Sequence, residues 1–284
     1  MGLLAAALWG GTDFFMGLNA RAVGVKRAVY FGQALGFVIM SLLLVIFPAY
    51  LLKSLAAPLS VWGMGVCAAV LTVSGALSLS KAFSLGKASI VAPLVTSYGV
   101  VTTLLSWTSG EHISLIQWLC IALCVVGVIL SGRHADSGLP HSTDTRQSIA
   151  FALLAAVFYG TSFWLQGQFI LPVLGPITML WLAYLVGFSV LVLIVIKIKD
   201  GLKIPPLKNC MTLTAASLMN LGGFSSFAWG AAVGSVSVVT VISTLSGGIA
   251  AILGYVFFKE RLGKVQVLGV VLVLVGAFVL HLKT

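Results

Sequence analysis

The sequence predicts an all-α integral membrane protein: ten transmembrane helices arranged as two inverted five-helix repeats. Three observations carry that prediction. The 284 residues are 60% hydrophobic and 8% charged, with a mean hydropathy of +1.15, whereas a soluble domain carries about 25% charge. The apolar residues form ten continuous runs, not the alternating runs of a β-barrel. The second half also repeats the first at a fixed offset, while the loop charges do not follow.

Span 1 covers about residues 2–20. It lacks a positive n-region and its apolar run recurs later, so it reads as a helix and not as a leader. Its centre is Leu8-Trp9-Gly10-Gly11-Thr12-Asp13-Phe14-Phe15. Of six acidic residues, Asp13 alone falls inside a long apolar run; Glu111, Asp136, Asp144, Asp200 and Glu260 sit at segment ends or in connections. At 1.5 Å per residue Asp13 lies about 16 Å along the helix, near the middle of a hydrocarbon layer of roughly 30 Å. A carboxylate there costs on the order of 3 kcal/mol.

Spans 2 and 3, near 28–52 and 60–80, bring Gln33, Ser74 and Ser78 to membrane depth. Span 4, near 88–107, reads Ile90-Val91-Ala92-Pro93-Leu94-Val95-Thr96-Ser97-Tyr98-Gly99, and Pro93 removes a backbone donor and crowds the preceding turn. Span 5 covers 114–131. The polar connection Gly132–Gln147 then divides the chain into a first repeat, 1–131, a cytoplasmic linker, 132–147, and a second repeat, 148–284. Spans 6 to 10 follow near 148–170, 176–197, 209–230, 235–257 and 264–282. Span 9 contains Gly247-Gly248 at the place equivalent to Tyr98-Gly99. Interruptions at matching positions of inverted halves point to a midplane site. The alternative is a proline kink with small residues for close packing.

An offset of 149 puts Gly11-Thr12-Asp13-Phe14-Phe15 on Gly160-Thr161-Ser162-Phe163-Trp164, Glu111 on Glu260 and Gln117 on Gln266. Fourteen of the sixteen Lys and Arg residues fall in connections after odd-numbered spans; only Lys53 and Lys283 fall opposite. The positive-inside bias predicts both termini outside the cytoplasm, in what is expected to be a prokaryotic plasma (inner) membrane. Lys81 and Lys87 fall on Gly230 and Val236, so the charges have followed an inversion.

The net charge of +10 does not imply nucleic acid, because the basic residues are scattered singly. The four histidines, His112, His134, His141 and His281, lie at ends or in loops and assemble no catalytic set, so no enzyme is expected. Cys120 and Cys124 share a helix face without a nearby His or carboxylate, which reads as packing and not as a metal site. No cofactor is expected.

The chain resembles the ten-helix, EamA-type members of the drug/metabolite transporter superfamily. The resemblance is carried by Ala6-Ala7-Leu8-Trp9-Gly10, the Pro93 region, and the segment ends Gly110-Glu111-His112-Ile113-Ser114-Leu115-Ile116-Gln117-Trp118 and Lys259-Glu260-Arg261-Leu262-Gly263-Lys264-Val265-Gln266. It covers the whole chain. It implies solute transport by alternating access, often export, of substrates that range from amino acids and amines to nucleotide sugars.

The residues suggest a site lined by Trp9, Asp13, Gln33, Ser78, Tyr98, Tyr159, Ser162, Trp181 and Asn220. Aromatic walls with a few polar groups describe a pocket for an organic solute, and a carboxylate among aromatic faces suits an ammonium. No Lys or Arg lies near a span centre, which argues against phosphate-bearing solutes. Asp13 has three readings. It binds a substrate amine; or it carries a coupling proton; or it is structural, capped by Thr12 and unwound backbone after Gly10-Gly11, or paired with Lys81 or Lys87. The expected partners are a small-molecule solute, such as an amino acid or amine, and membrane lipids, with the chain a monomer or homodimer. The competing class is a non-transporting protein, a lipid scramblase or an assembly subunit.

Overall fold

The computed structural model describes residues 1–110, 112, 114–131, 143–198, 202–234, 236–258 and 263–282. Among these there is no strand. Helices cover all ten apolar runs: α1 (Gly2–Val23), α2 (Val25–Ile46), α3 (Ala49–Leu55), α4 (Leu59–Leu85), α5 (Ala88–Val95), α6 (Tyr98–Thr108), α7 (Leu115–Ser131), α8 (Thr143–Leu165), a π-helical turn (Gln166–Ile170), α9 (Leu171–Val195), α10 (Leu207–Val233), α11 (Val236–Ser243), α12 (Ser246–Phe258) and α13 (Lys264–Leu282). Four described stretches are long and apolar enough to cross a membrane by length and composition: Val25–Ile46, Leu59–Leu85, Ile90–Thr108 and Arg146–Val195. The loop 132–142, Glu111 and Glu260 lie outside the described residues, and α8 begins at Thr143, inside the stretch read as linker.

Both expected interruptions are present, two to four residues from Pro93 and Gly247. Span 4 breaks at Thr96-Ser97, between α5 and α6; span 9 breaks at Thr244-Leu245, between α11 and α12. At each break the backbone tightens to bonds three residues back: Ser97 N–H donates to Leu94 O, Gly99 to Thr96 O, Gly247 to Thr244 O and Gly248 to Leu245 O. Hydroxyls also bond back to carbonyls of the preceding turn, sharing Leu94 O with the backbone. Thr96 Oγ1 donates to Pro93 O at 2.6 Å, Ser97 Oγ to Leu94 O at 2.8 Å and Ser243 Oγ to Thr240 O at 2.6 Å. Such back-bonding offers the chain an alternative to the α-helical ladder.

The repeat register differs from the sequence expectation in the middle of each half. Leu59 and Leu207 begin equivalent 27-residue helices, Ala88 and Val236 equivalent eight-residue ones, and Tyr98 and Ser246 the helices after each break; every pair is 148 positions apart. The 149 offset returns at Leu115 and Lys264, which begin α7 and α13. Tyr98 is therefore matched by Ser246 and not by Gly247.

Two further boundaries depart from the expected spans. Span 2 is cut at Phe47-Pro48, and α3 folds against α9, where Ser54 Oγ donates to Leu174 O at 3.0 Å and pairs with Thr178 Oγ1 at 2.9 Å. Spans 6 and 7 are joined by the π-helical turn with no intervening loop, and the chain turns at Gly175. Gly175 has φ 71°, ψ 167°, and Gly24, between α1 and α2, has φ 87°, ψ 148°. Each half thus turns from its first to its second long helix on one glycine at positive φ, a conformation that strains any residue bearing a Cβ.

Each helix packs chiefly on the other half: α1 on α10, α4 on α8, α2 on α9, α7 on α13, α5 on α12 and α6 on α8. Exchanging the halves carries the α1–α10 pair onto α8–α4 and the α2–α9 and α7–α13 pairs onto themselves, a two-fold relation. The segment end that carries the family resemblance has a structural cause in the first half. Ser114 and Gln117 form a reciprocal N-terminal cap on α7: Ser114 N–H donates to Gln117 Oε1 at 2.6 Å, and Gln117 N–H to Ser114 Oγ at 3.3 Å.

Candidate functional site

The site is built where α1, α8 and α10 face the two broken spans. Helix α1 is unbroken through Gly10-Gly11, so Trp9, Asp13 and Met16 fall on one face. Helix α10 presents Asn220 and Phe224 with the same spacing, and α8 presents Tyr159 and Phe163. Tyr98 opens α6 and Ser246 opens α12. Together with Thr12, Leu79 and Val95 these residues line an open cavity of about 410 Å³.

Asp13 is 6% exposed. Its carboxylate makes no hydrogen bond or ion pair with any described residue. The structural expectations for it are not met: Thr12 Oγ1 donates back to Leu8 O at 2.9 Å in place of capping Asp13, the backbone is not unwound after Gly10-Gly11, and neither Lys81 nor Lys87 pairs with it. A buried carboxylate in a cavity wall is costly unless something in the cavity solvates it.

The rest of the wall is aromatic. Trp9 and Phe163 stack with centroids 5.5 Å apart and planes at 17°, and Tyr159 stacks on Phe163 at 5.9 Å and 11°. Tyr98 meets Phe163 edge-on at 5.2 Å, and Phe224 meets Trp9 at 5.1 Å and 74°. Two rings are seated on glycines in symmetric helix pairs. The Trp9 indole lies over Gly223 of α10, and the Tyr159 ring over Gly75 of α4; a Cβ at either glycine would press into the ring. The Tyr98 hydroxyl lies 2.8 Å from Ser243 Oγ and so ties α6 to α11, one broken span to the other.

Two more cavities adjoin the first. One of about 450 Å³ is lined by Asn19, Gly32, Gln33, Ser217 and Asn220 among others, and shares Thr12, Met16 and Asn220 with the first. It lies toward the end of the bundle where the basic connections gather. There Arg21 donates to Phe83 O at 3.1 Å and Gly86 O at 2.8 Å, and Arg27 donates to Lys203 O at 2.5 Å. Another of about 340 Å³ is lined by Gln33, Thr72, Gln166, Tyr184 and Phe224 with their neighbours.

Of the residues singled out by sequence, Trp9, Asp13, Tyr98, Tyr159 and Asn220 line the first cavity and Gln33 the other two. Ser78, Ser162 and Trp181 line none of the three. Ser162 is fully buried between α8 and α4, 2.7 Å from Thr72 Oγ1 and 2.8 Å from Ala68 O, and accepts from Gln166 Nε2 at 3.0 Å. Trp181 Nε1 donates to Ser41 Oγ at 3.2 Å. Sequence reasoning missed Phe163, Phe224 and Ser246. Phe163 and Phe224 stand four residues beyond Tyr159 and Asn220, one helical turn along the same faces. Ser246 becomes visible only with the corrected register.

The sequence profile of the EamA-like transporter family matches the chain over residues 1–133 and again over 146–282. No curated protein matches at a significant level. A solved structure, described only as "Crystal structure of protein", superposes with a TM-score of 0.73 over 99% of this chain and 95% of that one, at 17% identity; that likeness is one of fold.

Proposed function

The chain belongs to the EamA-like transporter family, whose two-repeat architecture its halves share, and from that premise we propose that it is a secondary transporter, an exporter or exchanger of a small organic metabolite such as an amino acid or amine. One observation carries the reading: a carboxylate without a described partner in the wall of an aromatic cavity, at the seam between halves related by a two-fold exchange. In this reading the ten apolar segments cross the membrane, five per half, so the halves run oppositely and both termini lie outside the cytoplasm. The solute occupies the cavity at the crossing of the broken spans and is released to one side or the other as the halves exchange conformations. Asp13 binds the cationic group of the solute or holds a proton in its absence, which couples transport to the proton gradient. The membrane is a prokaryotic inner membrane.

The test is transport by purified protein in liposomes, with amino acids, amines, nucleosides and sugars offered under imposed proton and solute gradients. Saturable movement of one class, lost in Asp13→Asn, supports the reading. Failure to move any of them under either gradient overturns it.

A further inference from the structure

We infer that the solute is an organic monocation with an uncharged hydrogen-bonding group at its far end, an amino alcohol or amino amide and not an amino acid. The inference rests on the transport reading above and narrows it.

The first ground is charge. Asp13 is the only charged side chain among the described lining residues of the three cavities, and none of those residues is Lys, Arg or His. The rings of Trp9, Tyr159 and Phe163 line the same cavity as Asp13, and aromatic rings attract cations. The carboxylate of a zwitterion would be brought into the same low-dielectric space with no cation to pair with, beside a like charge.

The second ground is the state of the helix breaks. A break can offer free N–H groups to a carboxylate. Here the N–H groups of Ser97, Gly99 and Val100 at one break, and of Leu245, Gly247 and Gly248 at the other, each already donate to a carbonyl three residues back. The breaks bordering Tyr98 and Ser246 therefore provide no run of open donors.

The third ground is the recess beyond Asn220. Gln33 is 7% exposed and its side chain hydrogen-bonds no described residue; Tyr184 is 3% exposed, and its hydroxyl approaches Asn220 but meets no partner at hydrogen-bonding geometry. Their neighbours Thr72 and Gln166 are occupied by Ser162. A buried hydroxyl without a partner is costly unless something entering the recess satisfies it, and the Gln33 amide lines the same recess. Both groups are neutral and supply no countercharge, so they suit a hydroxyl or an amide better than a carboxylate. Asn220, shared by the first two cavities, and Gln33, shared by the second and third, form a continuous wall from Asp13 to this recess.

The experiment uses the full chain in lipid nanodiscs and, in parallel, in liposomes. The probes are matched sets on the phenylalanine and leucine skeletons: amino acid, amino amide, amino alcohol, and the plain amine lacking the third group. Binding is read by calorimetry and transport by uptake. The amide and alcohol are expected to bind at least about tenfold more tightly than the amino acid, and about three- to tenfold more tightly than the plain amine, the increment of one or two neutral hydrogen bonds. Tyr184→Phe and Gln33→Leu should each bring the amide down toward the plain amine. An amino acid that binds as tightly as its amide, or a plain amine equal to both, overturns the inference and leaves the transport reading standing. Absence of binding and uptake for every compound overturns the inference, and overturns the transport reading too only if nucleosides and sugars are not moved either.

Discussion

Thr72 Oγ1 and Ser162 Oγ lie 2.7 Å apart at the crossing of α4 and α8; the symmetric positions at the crossing of α10 and α1 are Asn220 and Asp13. In one crossing two hydroxyls close on each other and on the Ala68 carbonyl. In the other a carboxylate and a carboxamide line an open cavity. The same backbone arrangement serves as a bolt in one half and as a binding wall in the other, and the difference lies in four side chains.

Asp13→Asn should remove the response of transport to a pH gradient and lower affinity for cationic solutes at least about tenfold, through loss of the charge-assisted contact. The carboxylate has no described partner, so the melting temperature in detergent should not fall. A variant that matches wild type in affinity, rate and pH response would remove Asp13 from the mechanism.

Ser162→Ala and Thr72→Val should act in the opposite sense. Each breaks the bolt between α4 and α8 and should cost about 1 kcal/mol of stability, the size of an interhelical hydrogen bond in a membrane. Thermal unfolding should shift in both, while for Ser162→Ala, whose side chain lines none of the three cavities, solute affinity, measured at a temperature where the variant is folded, stays within about twofold of wild type. A loss of affinity without loss of stability would put Ser162 in the site after all.

Gly223→Ala places a methyl group against the Trp9 indole, and Gly75→Ala does the same to Tyr159. Overpacking of this kind costs about 1–3 kcal/mol. Because both rings line the cavity, affinity should fall together with stability. Combining Gly223→Ala with Trp9→Phe should restore stability and leave affinity low. If that double variant binds like wild type, the indole is packing only.

Single cysteines at Lys53 and Lys203, in a background without the four native cysteines, should label oppositely with a membrane-impermeant reagent in intact cells. Both side chains are exposed. Labelling at 53 with protection at 203 is expected; the reverse would invert the topology.

Much of this arrangement is readable from the chain, for reasons that also mark where reading stops. Asp13 is conspicuous because charge is so scarce in its surroundings. The breaks near Pro93 and Gly247 are visible as weak points, but their positions depend on hydroxyls of Thr96, Ser97 and Ser243 that bond back to carbonyls, a competition that residue type alone does not decide. Ser162 takes its place beside Asp13 by symmetry; only the packing of α4 on α8 shows that its hydroxyl is already used. Phe163 and Phe224 are invisible because an aromatic residue in an apolar run reads the same whether it faces lipid or a cavity.

The turns at Gly24 and Gly175 set a limit on how the duplicated halves could diverge. A wall position such as 13 or 162 can change its chemistry and leave the helix where it is. A joint fixed by the sign of one backbone angle cannot: a side chain at either glycine would swing the next long helix out of its place. After a gene doubles, drift is thus channelled into the faces and withheld from the joints. Ancestral reconstruction should show positions 13 and 162 changing identity while Gly24 and Gly175 stay glycine.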